Sequence, residues 1–208
     1  MAAAVAIALA IAGGVTAFFL TRTHAGTGAP PSLPRSSGEV FDRLAQVAAH
    51  QYNPFGTSPE DPDTVGQAID GNTATFWQTS TYTNGKLGKS GVGFYVDAAP
   101  QEAANLAVLK TPTPGFHVQI WGTDHVRPYT YSATPRPGIT PQALGWTQLA
   151  STLATATTRI PLAHVRGRRY YLVWITDLGP NPRGGPKYVQ IAEFTLFAAA
   201  AVSTGHHR

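Results

Sequence analysis

Apolar and polar positions are distributed along this chain in three different ways. Ala2 to Leu20 (AAAVAIALAIAGGVTAFFL) carries no charged side chain. At 1.5 Å per residue it spans roughly 28 Å, close to a hydrocarbon core of about 30 Å, and predicts a transmembrane helix over residues 1–22. A signal peptide is the competing reading, weakened by the missing basic segment ahead of the apolar run. Residues 23–45 lose all periodicity. AGTGAPPSLPRSSG is a Pro/Gly/Ser tether, able to hold a domain away from a bilayer. Next, Glu39 to His50 (EVFDRLAQVAAH) reads as a short helix after Ser36 and Ser37, and its end reads equally as the first strand.

From residue 46 to residue 198 the pattern is β. GVGFYVD, NLAVLK, FHVQIW, RYYLVWIT and YVQIAEFTLF, beginning at Gly91, Asn105, Phe116, Arg169 and Tyr188, are short and rich in Val, Ile and aromatics. Pro, Gly and Asn turns separate them. WTQLAS near Trp146 and TTRIPL near Ile160 are fainter. Seven or eight short strands without a long helix predict an all-β, antiparallel sandwich behind the N-terminal span. Residues 199–208 read as a disordered tail.

The last strand breaks the alternation. Strict period two puts Ile191, Glu193 and Thr195 on one face and Ala192, Phe194 and Leu196 on the other, and neither set is cleanly apolar. A bulge near Ala192 and Glu193 lets both Ile191 and Phe194 reach the core while turning Glu193 toward a partner.

Composition narrows the function classes. The 208 residues are 43% apolar and only 12% charged, with 21 Gly and 17 Pro. The net charge of +4 is a mild attraction for anionic surfaces, not a nucleic-acid footprint. With no cysteine, disulfides, thiolate metal sites and cysteine nucleophiles are excluded. There is no HExxH, no G-x-S-x-G elbow and no Gly-rich phosphate loop. Eleven acids, several of them in turns, leave little for paired-carboxylate glycoside hydrolysis. The expectation is a binding protein, not an enzyme.

Binding candidates sit in loops where aromatics neighbour planar donors. They are Tyr82 and Asn84, the stretch WGTDHVRPYTY from Trp121 to Tyr131 with His125 and Arg127, and Asn181 to Arg183. For Trp121, which ends a strand, a core position is the competing reading. Arg166, Arg168 and Arg169 form a basic cluster that reads as a charged strand edge or as a contact for anionic polymer.

AIDGNTATFWQTSTY, Ala68 to Tyr82, joins a tight acid-Gly-amide turn to Phe76 and Trp77. DGN-x-x-T-x-W resembles the early loop of discoidin-type (coagulation factor 5/8 type C) domains, whose fold is the galactose-binding-like jelly roll. YNPFG at Tyr52, KSGVGFYVD at Lys89 and RRYYLVWITDL…IAEF from Arg168 to Phe194 are similar to an actinobacterial, membrane-anchored branch of that group. The resemblance runs from about Val47 to Phe197. It implies a structural calcium, with Asp70 and Glu193 giving carboxylate oxygens, Thr75 its hydroxyl and carbonyl, and Gln67, Asn72 and Ala192 mainly carbonyls. The plainer reading of the same loop is an Asx turn, with Glu193 satisfied by backbone amides. The branch usually carries an acidic run after Tyr-Asp-Pro. Here Asn53 replaces the aspartate, and a polar turn is expected in place of a second ion site.

Arg22 alone follows the span, so a positive-inside count would put the remainder in the cytoplasm. The resemblance and the tether outweigh it. The expected protein is a single-pass, extracytoplasmic module of the cell membrane, or a secreted one, that binds cell-wall glycan or an anionic polymer. The alternative is a sensory or protein-interaction ectodomain tied to a kinase-like or transporter-like membrane protein encoded upstream.

Overall fold

The computed structural model describes residues 41–98, 101, 103–163, 166–182 and 184–200. The expected span over 1–22, the tether as far as residue 40 and the tail from residue 201 lie outside them. Among the described residues no helix is long and apolar enough to cross a membrane.

The described residues form antiparallel sheets of short strands, as the Val-, Ile- and aromatic-rich segments between turns predict. In chain order they are β1 (Phe41–Arg43), β2 (Ala48–Tyr52), β3 (Trp77–Gln78), β4 (Val92–Asp97), β5 (Leu106–Lys110) and β6 (His117–Thr123). They continue as β7 (Thr147–Leu153), β8 (Thr157–Pro161), β9 (Tyr170–Asp177), β10 (Gln190–Ile191) and β11 (Glu193–Ala199). One sheet has the order β2-β4-β9-β6-β7 and the other β1-β11-β5-β8, with β10-β3 as a short ribbon.

Glu39 to His50 holds no helix in its described part. Phe41–Arg43 pairs with the end of β11, and Ala48 opens β2. Residues 41–43, expected in the tether, therefore belong to the sandwich. β11 in turn runs to Ala199, one residue into the expected tail.

Period two decides which residues enter the core. Val92, Phe94 and Val96 of β4 and Tyr171, Val173 and Ile175 of β9 face inward, joined by Phe194 and Leu196 of β11. The expected irregularity is present, since Ala192 interrupts the last strand between β10 and β11. Ile191 and Phe194 are both fully buried as a result.

The opposite face of the five-stranded sheet is not left to water. Tyr52, Trp121, Trp146, Leu172 and Trp174, with Phe55, form a second apolar cluster there. The stretch between β6 and β7 packs on it through Val126, Tyr129, Ile139 and Leu144. Gly93 makes this possible. It lies in register between Tyr52 and Trp174, and a Cβ at that position would stand 1.8 Å from the Val173 carbonyl oxygen. The Tyr52 and Trp174 rings accordingly meet edge-on at 6.0 Å, a favoured aromatic geometry worth roughly 1 kcal/mol beyond buried area.

Candidate functional site

Three polar constellations stand out from this frame. The first is at the rim, where the Asp70 turn meets the start of β11. Gly71, with φ of 82°, closes the turn in a conformation that favours glycine. Its N–H donates to Glu193 Oε1 at 2.5 Å. Asp70 Oδ1 accepts the Asn72 N–H at 2.8 Å, and Asp70 Oδ2 lies 2.8 Å from the Thr75 hydroxyl. Gln67 Oε1 accepts the Phe76 N–H at 3.3 Å, and Ala192 donates its N–H to the Lys110 carbonyl at 2.9 Å. The structure thus brings Asp70, Asn72, Thr75 and Glu193 to one place. It uses Gln67 and Ala192 to pin the flanking backbone.

The electrostatics of this rim are unbalanced. Glu193 is only 4% exposed. Burial, opposed by the Gly71 N–H but reinforced by the facing Asp70 charge, pushes its carboxyl above the usual range. The Asn72 N–H and then the Thr75 hydroxyl hold Asp70 below its usual range. No ion pair within 4 Å joins either acid to a described cationic side chain. Two facing carboxylates of this kind, one buried, fit a hard cation that takes oxygen ligands. Among the described residues no group of three or more His, Asp or Glu gathers around a metal position, so carbonyl oxygens would have to complete the set.

The second constellation is structural and was missed in the sequence. Glu60 is 2% exposed and ties four segments together. It receives Lys89 Nζ at 2.7 Å, the Tyr82 hydroxyl at 2.8 Å, the Ser80 N–H at 2.6 Å and Asn53 Nδ2 at 3.3 Å. Its own carbonyl accepts the Trp77 indole N–H at 3.0 Å. Tyr82, a candidate ligand residue in the sequence, is therefore committed to this network. Burial and the Glu60 charge push its phenol far up. Asn84 caps an exposed turn by accepting the Lys86 N–H at 3.0 Å. The only hint of the hub was an acid following Tyr52 to Gly56, which is too common a pattern to read.

The third constellation is a hollow of about 480 Å³ on the outer face of the five-stranded sheet. From the sheet come His50, Tyr95, Asp97 and Tyr170; from the stretch after β6 come His125, Arg127 and Tyr129, among others. Register explains the sheet side, since His50 pairs with Tyr95 and Asp97 with Tyr170. The His50 and Tyr95 rings stack at 5.0 Å and 26°, and Tyr170 meets Tyr95 edge-on at 5.8 Å. Burial raises the Tyr95 phenol, and it pushes that of Tyr129 up to about 12. Two further hollows adjoin, one of about 340 Å³ sharing His50, Tyr95 and Tyr129, the other of about 360 Å³ sharing Pro128 and Tyr129.

Of the loop candidates, His125 and Arg127 reach this hollow. Trp121 does not. It is 3% exposed within the second apolar cluster, so its competing core reading holds. Arg183 lies outside the described residues, and Asn181 bridges its own turn to the Gly185 carbonyl at 3.0 Å. The basic cluster is largely neutralised. Arg166 and Arg168 share Asp124 at 2.8 Å each, and Arg169 binds Asp97 at 2.8 Å.

No family model matches the chain. Among solved structures, truncated AlyQ with CBM32 and alginate lyase domains is similar over 80% of this chain and 36% of its own, at 16% identity and a TM-score of 0.51. The CBM32 of AlyQ in complex with 4,5-unsaturated mannuronic acid is similar over 76% and 99%, at 15% identity and 0.49. A GH29 fucosidase of Ruminococcus gnavus in complex with fucose is similar over 66% of this chain, at 15% identity and 0.43. This chain spans 22% of that fucosidase and 36% of truncated AlyQ. The sandwich formed by the described residues has the discoidin-like, galactose-binding-like fold of CBM32 modules.

Proposed function

We propose that this chain is a carbohydrate-binding module, anchored in the membrane and facing outward, that holds cell-wall glycan or a related polymer at the hollow on its outer sheet face. One observation carries the reading. In one concavity, half-buried Tyr95, Tyr129 and Tyr170 lie beside His50, His125 and Arg127. Aromatic faces beside a few polar groups suit a sugar's alternating apolar and hydroxyl faces. The volume of about 480 Å³ is within the range of small-ligand sites. The Tyr95 and Tyr170 hydroxyls make no hydrogen bond among the described residues, which leaves them for a ligand. The neighbouring hollows give room for a chain longer than one sugar.

Binding without hydrolysis is supported by the same inventory. Glycoside hydrolysis uses two carboxylates flanking the bond. The hollow holds Asp97 alone, and Arg169 grips it through Nε at 3.1 Å and Nη2 at 2.8 Å. At the rim, Asp70, Glu193 and Thr75, with the Asn72 carbonyl, would hold a structural calcium. Bound there, the ion would supply positive charge between the two carboxylates and lock the turn to β11.

The test is a screen of the full chain against purified wall polysaccharides and oligosaccharides, with Tyr170→Ala beside wild type. Saturable binding that Tyr170→Ala weakens at least about tenfold is expected. A wild-type chain that retains no glycan, or a variant that binds equally well, overturns the reading. The anchor predicts recovery of the chain in membranes, with residues 41–200 digestible by protease added outside the cell. Recovery as a soluble secreted chain overturns that part.

A further inference from the structure

We propose that the hollow selects saccharides carrying a carboxylate, and that Arg127 is the residue that receives it. The proposal rests on the carbohydrate-binding reading above and adds the chemical class of the sugar.

The argument is an inventory of charge. Asp97 is the hollow's acid, and Arg169 already holds it through both guanidinium edges. Arg166 and Arg168 are spent on Asp124. Lys89 is spent on Glu60, Lys187 reaches the Pro180 carbonyl at 2.6 Å, and Arg136 reaches the Ser132 hydroxyl at 3.0 Å. Arg43, Lys86, Lys110 and Arg159 also lack an ion pair among the described residues, but the cation that lines the hollow is Arg127. It is exposed on the hollow's rim and makes no hydrogen bond or ion pair among the described residues.

A Cβ at Gly145 would lie 3.4 Å from Arg127 Nε and 3.7 Å from Nη2, so the guanidinium lies beside the open side of this glycine. Gly145 is in turn fixed beside buried Trp146, which supports the hollow's aromatic face. The His50 and His125 rings likewise have no hydrogen bond among the described residues, and each can donate or accept, so Arg127 is the uncommitted group facing the hollow that can only donate. A planar guanidinium matches a carboxylate with two parallel hydrogen bonds, and charge assistance makes these about twice as strong as bonds to a neutral hydroxyl. A neutral sugar leaves Arg127 with water; a uronic acid does not.

The experiment measures affinities for a panel of hexuronic-acid tetrasaccharides and for the same tetrasaccharides after carboxyl reduction, which makes them neutral. Full-length wild type, R127Q, R127K and R159Q are compared. Arg159, exposed on β8, carries the same charge change away from the hollow. Wild type is expected to prefer an acidic sugar by about tenfold or more. R127Q should erase the preference, R127K should retain part of it, and R159Q should leave it intact. Equal wild-type binding of acidic and reduced sugars overturns the proposal while the carbohydrate-binding reading stands. So does a preference that survives R127Q, or one that R159Q lowers as much as R127Q does. No binding of either form by wild type overturns both.

Discussion

Gly71 and Glu193, 122 residues apart in sequence, meet in a single hydrogen bond of 2.5 Å that joins the Asp70 turn to the first residue of β11. That bond brings a buried carboxylate up against Asp70, and a cation bound between the two would stabilise the fold. Calcium is expected to raise the melting temperature of wild type. The gain is set by the ratio of calcium to its dissociation constant, and is about 2.7 kcal/mol at a hundredfold excess. Glu193→Gln and Asp70→Ala should lose the difference between calcium and chelator. Thermal melts with each settle the matter, and an undiminished calcium response in Glu193→Gln removes that residue from the site.

Lys89 and Glu60 make an ion pair whose side chains are 6% and 3% exposed. Lys89 is held below the usual lysine range because burial outweighs the attraction of Glu60. Removing one partner strands the other. Lys89→Met is therefore expected to cost about 3–5 kcal/mol in urea denaturation, the range for breaking a buried pair. A loss under about 1 kcal/mol would mean that water reaches Glu60 and replaces the lysine.

The sandwich was legible because its core segments are short, rich in Val, Ile and aromatics, and separated by turns that carry Gly, Pro and Asn. The break at Ala192 was legible for a sharper reason, since Ile191 and Phe194 cannot both face one way in an unbroken strand. β1 was not readable. FDR has no period of its own and becomes a strand only by pairing with the end of β11. The second apolar cluster was hidden differently. Trp121 and Tyr95 point away from the main core, and in sequence an outward aromatic looks the same whether a loop covers it or a sugar does. Likewise, no spacing rule links Glu60 to Lys89, because the fold alone makes them neighbours.

The buried tyrosines predict alkaline instability. Burial pushes Tyr129 up to about 12, and Tyr52, Tyr82, Tyr95 and Tyr171 are raised as well, with burial the first cause in each. In the unfolded chain a tyrosine releases its proton near pH 10. Between that value and the folded value, the unfolded state binds fewer protons, so stability falls as pH rises. It is fully present below pH 10 and declines above it, by about 1.4 kcal/mol per pH unit for each tyrosine in its window. Denaturation midpoints on either side of pH 10 should show this, with tyrosinate absorbance rising as the chain unfolds. Equal midpoints would mean that these phenols ionise freely in the fold.

Two tryptophans separate the stability of the sandwich from the support of the hollow. Trp77 belongs to the main core, with its ring 5.1 Å from Phe94 and its indole N–H on the Glu60 carbonyl. Trp146 belongs to the outer cluster, donates to the Tyr52 hydroxyl at 2.9 Å and lies 6.1 Å from the Tyr95 ring. Each truncation to alanine is expected to cost about 3–5 kcal/mol. Their effects on binding should differ. Trp146→Ala removes the neighbour of both Tyr95 and Gly145, so glycan affinity per folded molecule should fall. Trp77→Ala should leave that affinity unchanged, because its contacts lie between the sheets and at the Glu60 hub. Affinity measured below the melting temperature of both variants distinguishes the two sites. An equal loss in both, or none in Trp146→Ala, would detach the hollow from the aromatic cluster beneath it.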